Sequence, residues 1–154
     1  ATELILSYYI SYIIKMTGIR KKNKLIISTS LNFNKIINSA SSTKEELQYL
    51  CDKLNIKPSP PIVWLKDYHP SMDKDGVIIN TGNPFLGGTH WVCVYKNTYF
   101  DSFGIHPPPE IKTKIYRDIK IQNPQDGKCG LYCVLFIYFA KKNNIEEFYE
   151  IFDN

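Results

Sequence analysis

The chain has only three histidines and four cysteines among 154 residues, and no apolar run reaches 18 residues. Each shortage excludes something. Without a long apolar run, no membrane-spanning helix is expected. Cys51, Cys93, Cys129 and Cys133 follow no regular spacing, so they do not read as a disulfide framework. Cys129-x₃-Cys133 lacks the Cys-x₂-Cys pairs of a zinc site, and neither a metal nor another cofactor is expected. A composition of 44% hydrophobic and 14% aromatic residues excludes a disordered chain. The length suits one domain with a real core.

Charge is scarce in one direction only. Residues 1–42 carry Lys15, Arg20, Lys21, Lys22, Lys24 and Lys35 against Glu3, a net +5, and the rest of the chain sums to −1. The run Arg20-Lys21-Lys22-Asn23-Lys24 has the charge to touch nucleic acid. A solvated turn in a Lys-rich chain is the plainer reading.

Taken in order, Leu4, Ile5, Tyr8, Tyr9, Tyr12, Ile13 and Met16 recur at helical spacing and predict an amphipathic helix over 3–17 that ends at Gly18. It is expected to pack on the core, because its tyrosines and one lysine make a poor membrane anchor. Residues 28–42 are rich in Ser, Asn and Thr and read as a linker. The chain thus divides into an N-terminal extension, 1–42, and a main domain, 43–154.

Thr43-Lys44-Glu45-Glu46 is a capping box. It starts a helix running to about Leu54, with Leu47, Leu50, Cys51 and Leu54 inward. Pro58, Pro60 and Pro61 stop any continuation. Ile62–Leu65 predicts a short edge strand, 67–76 a loop, and Val77–Asn80 a strand. Trp91–Tyr95 and Thr98–Phe103 predict two strands across a turn at Lys96-Asn97. Pro107-Pro108-Pro109 predicts the start of a helix over 110–114, followed by a strand at Tyr116–Ile121. Leu131, Val134, Leu135, Tyr138 and Phe139 recur at helical spacing, so a helix starts near Cys129. A last helix, Ile145–Phe152, turns Phe148 and Phe152 back to the core. The expected class is α+β: a mixed, mainly antiparallel sheet packed on a central helix that bears Cys129.

Candidate chemistry lies in residues 88–133. Cys129 follows a turn-rich stretch and opens a helix, where unpaired N–H groups and the helix dipole favour a thiolate. A buried apolar thiol is the alternative, and Cys133 fits it better. His69 and His106 stand beside prolines and read as loop residues, whereas His90 opens a strand. With a two-residue turn, facing residues sum to an odd number, and Asp101 shares a sheet face with His90. A three-residue turn would separate them. Gln122, seven residues before Cys129, and the Cys129 N–H can together hold an oxyanion. Gln125, inside the turn, is the rival. Gly130 allows the backbone to bend and a substrate to approach. Gly87, Gly88 and Trp91 flank the histidine and are candidates to line a cleft.

These stretches resemble a known family. Gly87-Gly88-Thr89-His90-Trp91, Phe100-Asp101-Ser102-Phe103-Gly104 and Gln122 through Cys129-Gly130-Leu131-Tyr132-Cys133 are similar to the adenovirus maturation protease (adenain) family. They are also similar to the wider clan of SUMO and ubiquitin-like-protein proteases. Val77-Ile78-Ile79-Asn80-Thr81-Gly82 and the seven-residue Gln–Cys spacing resemble the adenovirus branch in particular. Relatives occur in virophages and Maverick-type mobile elements, and the length fits one of these. The resemblance covers roughly 60–140 and implies a cysteine endopeptidase with His90, Asp101 and Cys129 as its triad. It implies cleavage of viral capsid or other structural precursors after small residues, often glycine, during particle maturation. The expected setting is the host cytoplasm or a viral factory, with packaging in the virion, and the expected state is a monomer. The adenovirus enzyme uses DNA as a cofactor, which makes DNA a candidate partner of Arg20, Lys21, Lys22 and Lys24. Three rivals stand beside this reading: a SUMO-type isopeptidase, an acetyltransferase using the same cysteine, and a non-enzymatic binding module.

Overall fold

A computed structural model of the chain describes residues 42–82, 90–112, 115–121 and 128–152. Its strands lie in sequence order in one sheet: β1 (Ile62–Trp64), β2 (Val77–Asn80), β3 (Trp91–Tyr95) and β4 (Thr98–Phe100). β1 and β2 pair in parallel, and the other two pairs are antiparallel. The parallel pair requires a crossover, which the chain makes through 3-10 turns at Leu65–Asp67 and Pro70–Asp75. The expected plain loop is therefore wound up. Lys96 adopts φ 54° in the two-residue turn between β3 and β4. That turn sets the register Cys93↔Phe100, Val94↔Tyr99 and Tyr95↔Thr98.

Among the described residues, three helices pack around this sheet. α1 (Lys44–Lys53) begins with the capping box, in which Thr43 Oγ1 accepts from Glu46 N and Glu46 Oε1 accepts from Thr43 N. Leu47, Leu50 and Cys51 face inward. α2 (Cys129–Lys141) is buried at every position from Cys129 to Ala140. A helix apolar all round belongs inside a protein, and this one is the centre of the core. α3 (Ile145–Phe152) closes the bundle with Phe148. Phe100 stacks on Phe136 at 4.7 Å, and Phe148 meets both rings edge-on at 5.2 and 5.4 Å.

The sheet is covered on both faces. Ile62, Ile78, Cys93 and Phe100 face the helices, while Val77, Ile79, Val92, Val94 and Tyr99 form a second cluster with Ile111. Tyr68, Met72 and Leu65 from the crossover lie against that second cluster. This explains the unbroken apolar run Val77-Ile78-Ile79, since a strand buried on both faces need not alternate.

Several expectations on connections change. Tyr116–Ile121 is not a strand. Ile115 makes an isolated parallel bridge with Thr98, and Ile121 N donates to Ser102 O at 2.9 Å. Between these pins Tyr116 and Ile119 stay exposed, so the segment has no buried face to hold a ladder in register. Of the helix expected over 110–114, the described residues show a turn closed by Ile111 N to Pro108 O, and 113–114 lie outside them. β4 stops at Phe100 because Asp101 starts a tight turn. The expected helix at 3–17, the basic run at 20–24 and the greater part of the 28–42 linker lie outside the described residues, as does the Phe152 side chain.

Candidate active site

His90 stands one residue before β3 and Asp101 one residue after β4, at the same end of the sheet. The odd-sum register brings them to one face. His90 Nε2 and Asp101 Oδ1 are 3.0 Å apart, and the two residues are only 4% and 7% exposed. Asp101 is held by the turn it begins. Its Oδ1 accepts from Phe103 N at 2.8 Å, and its carbonyl accepts from Gly104 N at 2.9 Å. Gly104 has φ 72°, and a Cβ there would meet the Ile119 backbone at 2.9 Å, so no other residue fits without strain. Phe103 stacks on the His90 ring at 4.8 Å. Asp-Ser-Phe-Gly thus supplies a carboxylate and an apolar wall for the same imidazole. Phe103 was not singled out from the sequence, although it stands inside that four-residue turn.

Cys129 is the first residue of α2 and 6% exposed. Trp91 N donates to its Sγ at 3.3 Å, and the thiol lies close enough to His90 to help raise the pKa of its ring. Burial alone would pull the His90 pKa down. The hydrogen bonds to Asp101 and to Cys129, with the charges of both, outweigh it and raise the pKa to about 9. Two other thiols are held protonated: burial, then the Asp52 charge, pushes Cys51 up to about 12, and burial pushes Cys133 up.

Trp91 is locked by its indole, whose Nε1 donates to Ser42 O at 3.2 Å. Gly130 has a different reason from the one expected. Its missing Cβ would lie 2.8 Å from Leu47 Cδ2 and 3.1 Å from Trp91 Cδ1, so α1 and Trp91 fill that space rather than a substrate. Lys128, the residue before Cys129, is buried at 4% exposure, which no spacing rule indicated. His69 and His106 are exposed, and His69 Nδ1 accepts from Ser71 N at the start of a 3-10 turn. Gln122, Gln125, Gly87, Gly88, Arg20, Lys21, Lys22 and Lys24 lie outside the described residues.

Comparison with protein-family models, with curated proteins and with solved structures gives no match for the chain. The chemistry open to the site therefore follows from its geometry. A buried carboxylate, an imidazole whose protonated form it favours, and a thiol at a helix start are the groups that a thiolate–imidazolium pair would need.

Proposed function

We propose that the chain is a cysteine endopeptidase in which His90, Asp101 and Cys129 act as one unit. The observation that supports this most is the buried His90–Asp101 pair beside a thiol at the start of a core helix. His90 takes the Cys129 proton, and the thiolate attacks the peptide carbonyl carbon. The imidazolium returns the proton to the departing amine, leaving an acyl-thioester on Cys129. Water, deprotonated by His90, releases the acid and restores the thiol. Asp101 keeps the imidazole in one orientation and stabilises its cation. Gln122 and the Cys129 N–H hold the oxyanion in this reading.

The substrate is proposed from the resemblance of Gly87–Trp91, Phe100–Gly104 and Cys129–Cys133 to the adenain family. It is a viral capsid or other structural precursor, cut after a small residue in the infected cytoplasm, viral factory or particle. The test is incubation of the full chain with co-encoded structural proteins, in parallel with Cys129→Ala. Precursor cleavage by the native chain alone is expected. Cleavage that survives Cys129→Ala would overturn the reading, and cleavage restricted to ubiquitin-like fusions would select the isopeptidase instead.

A further inference from the structure

Trp64, Asn80 and Trp91 form the last register row across three strands. The row ends at the backbone N–H that bonds the Cys129 sulfur. A cavity of about 370 Å³ opens on it, walled by Trp64, Trp91, Asn80, Ile62 and Thr43. The chain has two tryptophans, and both line this one cavity. Trp64 is 54% exposed, on an edge strand, where an indole that size gains little from the fold itself. Asn80 is buried, its Oδ1 accepts from Gly82 N at 2.9 Å, and its amide NH₂ has no partner among the described residues. Two indoles and Ile62 supply its apolar wall, and the Asn80 amide, Lys44 and Asp67 are polar groups at its margin, a mixture that suits a side-chain pocket.

The direction of the row decides which part of a peptide it meets. His90 must hand its proton to the departing amine, so the leaving segment lies over His90, toward β4. The acyl segment then lies on the other side of Cys129, toward β2 and β1, where the cavity is. Strands stand about 4.8 Å apart, so Trp64 is roughly 10 Å from Trp91 along the row. An extended peptide rises about 3.3 Å per residue, which places the pocket roughly two to four residues before the cut.

We propose that this cavity is the specificity subsite of the enzyme and takes an aromatic side chain from the acyl side of the substrate. Trp64 is the outer wall, Trp91 the inner wall, and the Asn80 amide donates to a substrate backbone carbonyl. The inference rests on the peptidase reading above. A space of this size suits one ring between two indoles, where offset or edge-on contacts add to simple burial.

The test is cut-site mapping of a proteome-derived peptide library by the full chain, by Trp64→Ala, by Trp64→Phe and by Cys129→Ala. One position on the acyl side should favour aromatic residues over alanine by about 10- to 30-fold in kcat/KM. Trp64→Ala should reduce that preference to about twofold while cutting continues, and Trp64→Phe should keep most of it. A Cys129-dependent cut pattern with no aromatic preference, or a preference untouched by Trp64→Ala, overturns the subsite and leaves the peptidase. A library with no Cys129-dependent cuts overturns both.

Discussion

Replacing Asp101 with Asn removes one charge from the buried pair and nearly preserves its shape. The new side chain still offers an oxygen to Phe103 N, which now bonds Asp101 Oδ1 at 2.8 Å. What changes is the imidazole. A pKa of about 9, against an ordinary value near 6.5, amounts to on the order of 3 kcal/mol in favour of the charged ring. Without the carboxylate, burial acts against that charge, and only Cys129 opposes it. The His90 pKa should fall to 6.5 or below, and imidazolium becomes the minor form at pH 7.5. In the proposed mechanism His90 serves as base and then acid, so kcat/KM on a cleaved peptide should drop roughly 10²-fold or more. The decisive assay pairs this rate with the pH dependence of Cys129 alkylation and with the NMR titration of the His90 ring. If Asp101→Asn stays within threefold of the native rate while His90 still titrates near 9, the orienting role is wrong.

Other outcomes follow from neighbouring contacts. Iodoacetamide near neutral pH should label Cys129 well before Cys51 or Cys133, because burial holds those two thiols protonated; peptide mapping reads the order, and Cys133 first would move the nucleophile. Gly130→Ala should destabilise by about 1–3 kcal/mol in urea, because its Cβ meets Leu47 at 2.8 Å. Combined with Leu47→Ala, the total loss should be smaller than the sum of the two single losses, and strict additivity would mean the clash is not real. His90 has a raised pKa in the folded chain, so its contribution to stability is full below about pH 6.5 and lost as pH rises through about 9. The stability advantage of the native chain over His90→Gln should accordingly shrink between pH 7 and pH 10, and a growing advantage would reverse the sign. Gln122→Ala should lower kcat by roughly 10²–10³-fold and Gln125→Ala far less, with the opposite order favouring Gln125 as the oxyanion donor.

Local features of the fold were legible because local physics decides them. The Thr43–Glu46 capping box, the β3–β4 turn and the helix from Cys129 each follow from residues a few positions apart. The same-face placement of His90 and Asp101 needed only the turn length and the period of a strand. Contacts that depend on distant partners were not legible. Gly130 looked like room for a substrate, because nothing in its neighbourhood announces Leu47, 83 residues earlier. Tyr116–Ile121 has strand-like composition, but the sheet offers it two pins and no continuous face. The role of Gly104 needed the Ile119 backbone to be in view.

The burial of α2 on all sides reaches beyond packing. Surface helices can fray and reform while the rest of a domain stays intact, but a helix enclosed at twelve successive positions, Cys129 to Ala140, opens only when the domain opens. The thiol is thereby fastened to a backbone that should exchange only with the domain's global opening. Amide exchange along 131–140 should proceed at the rate of global unfolding. Heat should extinguish the peptidase activity proposed for Cys129 together with the near-UV signal of the core, with no interval in which a folded chain has lost it.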